Sequence, residues 1–84
     1  MNRKHAATLD RLFTEPAPAS IRWADVEALL KALGCEVVEG SGSAVAFHKD
    51  GMVEYFHRPH PSKEAKRYQV RAARAFLVRM GVAP

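Results

Sequence analysis

Arg67, Arg71 and Arg74 repeat at i, i+4 and i+7, so a helix through them would carry all three guanidinium groups on one face. Lys63 falls one turn earlier and Lys66 close beside it, extending the row to five cations. A planar guanidinium can hold a phosphate through two bonds and can stack on an unpaired base. Neutralising several phosphates releases counterions, so such a row implies strongly salt-dependent binding of a polyanion. The plainer reading is a solvated helix face. The distribution of charge favours the polyanion: Arg58–Pro84 carries seven Lys/Arg against Glu64 alone, whereas Met1–His57 carries six against eight Asp/Glu.

His48, His57 and His60 lie within thirteen positions. Imidazole titrates near neutrality and can take a proton from a ribose 2′-hydroxyl or give one to a leaving oxygen. His60 is held between Pro59 and Pro61, in a segment those prolines keep extended. His57 and His60 are therefore the candidate acid/base groups, against the blander reading of hydrogen-bonding loop residues. His57-x-x-His60 has no third ligand at a standard spacing, so neither a metal nor a cofactor is expected. Gly40-Ser41-Gly42-Ser43 lacks the Lys-Ser/Thr of a phosphate loop and precedes a strand, so it reads as a turn, one whose amides could still approach an RNA backbone. Cys35 stands alone and cannot form a disulfide within the chain. It has no basic or histidine neighbour and reads as a small buried hydrophobe.

These residues need a scaffold, and 84 residues with 48% hydrophobic content supply one modest core. Leu9, Leu12 and Phe13 predict a helix over His5–Phe13, which Pro16 and Pro18 separate from the next element. Ser20 is positioned to cap a second helix, whose stripe is Trp23, Val26, Leu29, Leu30 and Leu33 and whose end is Gly34. Strands follow over Cys35–Glu39, Ala44–His48 and Met52–His57, with an Asp50-Gly51 hairpin signal between the last two. Ser62 is positioned to cap a final helix from about Lys63 to Met80, with an apolar stripe of Val70, Ala73, Phe76, Leu77 and Met80. The order α-α-β-β-β-α predicts an α+β fold, a three-stranded antiparallel sheet packed against helices. No apolar run approaches the length of a membrane span, Met1–Ala7 is charged with no apolar segment after it, and the apolar stripe of the basic helix is not the Trp-, Phe- and Leu-rich face expected of an interfacial anchor. A cytoplasmic protein with no membrane partner is expected.

A helix closed by Gly34, an apolar strand, Gly42-Ser43 before an alternating strand ending in Phe47, a further strand, then His60-Pro61-x-Lys63-Glu64 and a last helix: in this order the chain resembles the HicA-type messenger-RNA interferase toxins. The resemblance covers about Trp23 to Val82. It implies a fold like that of a double-stranded-RNA-binding domain, endoribonuclease cleavage of messenger RNA without a metal, and neutralisation by a HicB-like antitoxin. On this reading residues 23–84 form the RNA-binding domain and residues 1–22 a helical extension with a Pro-rich linker, which could cover a sheet edge or contact a partner. The family's motif is Gly-Ser-His, with that histidine catalytic. Here Gly42 and Ser43 match, and Ala44 occupies the histidine position. Alanine cannot shuttle a proton. That leaves open a branch using another residue (His57 or His60), a non-cleaving relative, or a chain whose histidine has been replaced. The expected contacts with RNA are Lys63, Lys66, Arg67, Arg71, Arg74, Gly42 and Ser43. The alternative function is a non-catalytic module that binds RNA or an acidic protein.

Overall fold

The computed structural model describes all residues from 1 to 84 and has the order α1 (Arg3–Leu12), α2 (Trp23–Ala32), β1 (Glu36–Glu39), β2 (Ala44–Lys49), β3 (Met52–His57) and α3 (Arg67–Arg79). This is the α+β arrangement expected from the sequence. The strands form one antiparallel sheet in the order β1-β2-β3. Asp50 and Gly51 both take positive φ, 51° and 80°, which a two-residue hairpin requires if its twist is to match the strands. That turn sets the whole β2–β3 register, from Lys49↔Met52 at the hairpin to Ala44↔His57 at the far end. Gly34, at φ 96°, closes α2 and lets the Cys35 N–H donate to Leu30 O at 3.0 Å, sending the chain into β1.

Alternation gives the sheet two unlike faces. Val45, Phe47 and Phe56 are buried on one face, where Trp23 of α2 packs with its ring centroid 5.1 Å from Phe56 and 6.3 Å from Phe47. Leu29 and Leu30 from α2 and Val70, Ala73, Phe76 and Leu77 from α3 complete the core on that side. Cys35 is buried in the same core, and burial pushes its thiol pKa up, consistent with a hydrophobe rather than a nucleophile. On the opposite face Val38 and Tyr55 stand exposed, and no helix covers them.

Local structure departs from the sequence expectation at three places. First, α1 begins at Arg3 rather than His5, because the Asn2 side-chain oxygen accepts from the His5 N–H at 2.7 Å and caps the helix two residues earlier. Second, Ser20 caps nothing: α2 starts after Arg22, and the Ser20 hydroxyl accepts from Arg11 at 2.8 Å. Third, α3 begins at Arg67, not Lys63. Ser62 Oγ accepts from the Glu64 N–H in a local turn, and Lys63–Ala65 run extended against Ile21–Trp23. Trp23 N–H donates to Lys63 O at 2.9 Å and Ala65 N–H to Ile21 O at 2.7 Å, while Ala65 is buried. Those cross-chain bonds satisfy the backbone better than a frayed first helical turn beside two prolines would.

Residues 1–22 are not a separate layer. Leu9, Leu12, Ala17 and Ile21 belong to the same core as Trp23 and Phe76. α1 packs chiefly against α2 and α3 rather than along a sheet edge.

Candidate nucleic-acid interface

The seven basic residues after His57 divide into two groups. Arg58, just beyond β3, is clamped between two carboxylates. Its Nε and Nη2 reach the Glu27 oxygens, each at 3.0 Å, and its Nη1 and Nη2 reach the Glu39 oxygens at 2.6 and 2.8 Å. The clamp joins α2, the end of β1 and the exit of β3, and the Trp23 indole N–H adds a bond to Glu27 at 2.9 Å. Burial opposes the charge on Glu27, but its bonds with Arg58 and Trp23 and the nearby Arg58 and Lys31 charges outweigh that and hold its pKa below the ordinary 4.5. The bonds from Arg58 likewise lower Glu39. The two carboxylates push the guanidinium pKa further up.

Arg74 is also occupied. The i, i+4, i+7 spacing predicts it in the open row, but its Nε donates to Leu12 O at 2.7 Å, its Nη2 to Thr14 O at 2.9 Å and its Nη1 to Glu15 at 2.6 Å. Its side chain is only 20% exposed. It seals the C-terminal end of α1, where helical carbonyls lack intrahelical partners. Arg79 pairs with Glu54 at 3.2 Å.

Lys63, Lys66, Arg67 and Arg71 are exposed and make no ion pair. Arg67 donates through Nε to Ala17 O at 3.2 Å, and no carboxylate meets its guanidinium. Arg71 stands one turn further along α3. Because α3 starts late, Lys63 lies off the helix, beside Arg22, in a depression of about 190 Å³ next to Pro59. Lys66 and Arg67 line a groove of about 500 Å³ with His60, Ser62 and Glu64. The Arg22↔Glu64 bridge holds these two stretches of backbone together. The positive surface is thus a patch around the start of α3 rather than a stripe down its length.

His60 stands apart from the other two, exposed in the Lys66–Arg67 groove, whereas His48 lines the same open-face cleft as His57, toward its hairpin end. His57 ends β3 directly opposite Ala44, in a cleft of about 440 Å³ on the open face of the sheet. Cross-strand partners share a face with their Cβ atoms about 5 Å apart, so the His57 imidazole projects where a side chain at position 44 would. Its Nδ1 lies 3.4 Å from Ser43 Oγ. Gly40 is what lets the loop close there: a Cβ on it would come within 2.9 Å of the Ala44 Cβ. Gly42 takes φ 58° in the same turn. No three His, Cys, Asp or Glu side chains gather as a metal-binding group.

Two residues and one pairing went unread in the sequence. Buried Gln69 donates to His57 O at 2.7 Å and accepts from Lys66 N–H at 2.9 Å, so it ties the end of β3 to the start of α3. Tyr55 is 75% exposed on the open sheet face, and its only sequence signal is its phase with His57. The Ala44–His57 pairing follows from counting back from the Asp50-Gly51 turn, a signal that was available.

The fold and this surface define a small α+β domain with an open sheet face and a cationic patch beside it. Residues 23–80 match the family model described as the HicA toxin of bacterial toxin–antitoxin systems, and the chain belongs to that family. No curated protein and no solved structure gives a match. No helix is long and apolar enough to cross a membrane.

Proposed function

We propose that this HicA-family toxin acts on messenger RNA as an endoribonuclease, with His57 as the proton-transferring group in place of the histidine that Ala44 lacks. The observation that carries the reading is the Ala44↔His57 pairing: an exposed imidazole stands across the strand from the vacant position, 3.4 Å from Ser43 Oγ. When Nδ1 carries the proton and donates to Ser43, Nε2 keeps a lone pair and can accept a proton. His57 then takes the proton of a ribose 2′-hydroxyl as that oxygen attacks the adjacent phosphorus. The bond to the 5′-oxygen of the next nucleotide breaks, and that oxygen leaves with a proton from solvent. The products are a 2′,3′-cyclic phosphate and a 5′-hydroxyl. Lys66, Arg67 and Arg71, with Lys63 to one side, supply the positive charge that draws the backbone in, and His60 lies within that patch. A HicB-like antitoxin is the proposed neutralising partner.

Ala44 itself favours a second reading, a relative that binds RNA without cutting it. Incubating a single-stranded RNA with the wild-type chain, His57→Ala and Ala44→His separates the two. The proposal expects cleavage by the wild type to cyclic-phosphate ends, reduced roughly 10²- to 10⁴-fold in His57→Ala with the fold retained. Equal cleavage by His57→Ala would remove the role of that residue. Cleavage by Ala44→His alone would establish the non-cleaving reading.

A further inference from the structure

We infer that the open face of the sheet is a single-nucleobase site, with Tyr55 as the ring on which one base of a single-stranded RNA stacks; this rests on the RNA-directed reading above. Tyr55 and His57 lie two residues apart on β3, so they share a face at a separation of about 7 Å. Both line the cleft that contains Ala44. A base on Tyr55 therefore belongs to a nucleotide beside the bond that His57 faces.

The cleft suits a base in several ways. Its floor is Ala44 and Ala46, whose side chains leave room for a flat ring, and Val38 borders it on β1. Its volume of about 440 Å³ is within the range of small-ligand sites. Its lining is mostly apolar, and its one carboxylate, Glu39, is held by two bonds from Arg58, which weakens its repulsion of a phosphate. An exposed phenol ring on such a floor is poised for stacking, which every base can provide. Buried Gln69 bonds the His57 carbonyl at one end of the cleft and the Lys66 N–H at the start of α3, so the cationic patch begins close to that end and is within reach of a strand leaving the cleft. A protein segment docking on the same face would account for the apolar floor but not for that continuity.

The test uses a short 2′-O-methyl oligonucleotide, which cannot be cleaved, carrying 2-aminopurine as a stacking reporter. Its affinity and fluorescence are measured with the wild type, Tyr55→Phe, Tyr55→Ala and Lys66→Ala, with circular dichroism as a check on folding. The expected result is quenching by the wild type and by Tyr55→Phe. Tyr55→Ala should lose the quenching and bind roughly five- to a hundredfold more weakly, with an unchanged salt slope, since the lost contact is not ionic. Lys66→Ala should keep the quenching and lower the slope. Wild-type binding with no effect of Tyr55→Ala would overturn the stacking site and leave the RNA-directed reading standing. Retained RNA affinity in Tyr55→Ala with loss of antitoxin binding would also overturn it, making the face a protein-docking surface. No binding by the wild type would overturn both.

Discussion

Arg58 and Arg71 are both basic residues in the positively charged C-terminal part of the chain, yet they do opposite work. Arg58 binds two carboxylates on two other elements, whereas Arg71 meets solvent and nothing else. The same split divides Arg74, which seals the end of α1, from Lys63, Lys66 and Arg67. Charge counted along the sequence overstates what is available to a polyanion. Of the seven basic residues after His57, only Lys63, Lys66, Arg67 and Arg71 make no ion pair, and they lie at or near the start of α3, where Gln69 bonds the His57 carbonyl and the Lys66 N–H.

The sharpest break between the two groups is in stability. Arg58→Ala leaves Glu27, whose side chain is 14% exposed, without its main partner, and loosens the junction of α2, β1 and β3. A loss of about 2–3 kcal/mol is expected in urea unfolding, with Arg58→Lys recovering only part of it because one ammonium cannot make both bidentate contacts. Arg74→Ala should cost less, about 1–2 kcal/mol, since Glu15 is 73% exposed and that ion pair contributes little. Its signature is local: limited proteolysis should nick residues 13–20 sooner, while RNA affinity stays near wild type.

The clamp also predicts an acid limit. Glu27 and Glu39 have pKa values lowered by folding, so their contribution is fully present above the ordinary glutamate value of 4.5 and is lost as pH falls through their folded values. Thermal stability of the wild type should therefore fall below about pH 4.5, and Arg58→Ala should show a flatter decline over the same range. An unchanged acid profile in that variant would detach the clamp from stability.

Much of the frame was legible because it rests on local rules. The stripe from Trp23 to Leu33, the Asp50-Gly51 turn and the alternation of Val45 and Phe47 each give their element without reference to the rest of the chain. What escaped is long-range. The pairing of Lys63–Ala65 with Ile21–Trp23 shortens α3 and moves Lys63 off its face, and no periodicity within Lys63–Met80 reveals it. Arg74 bonds residues about sixty positions earlier, so spacing along α3 could assign its direction but not its partners. The site lies between these cases. Ala44 opposite His57 was implicit in the hairpin register, whereas the separation of His57 from His60 into two clefts depends on the path of the loop through Pro59 and Pro61.

The division of the cations is tested most directly by the salt dependence of RNA affinity. The affinity of the wild type, Arg74→Ala and the double variant Lys66→Ala with Arg71→Ala would be measured for one single-stranded RNA across a range of salt concentrations. The wild type and Arg74→Ala should share one slope of log affinity on log salt. The double variant should have a slope smaller by roughly 1.4, the value for two lost phosphate contacts on a single strand. A slope near zero for the wild type, or a slope lowered by Arg74→Ala and untouched by the double variant, would contradict the account.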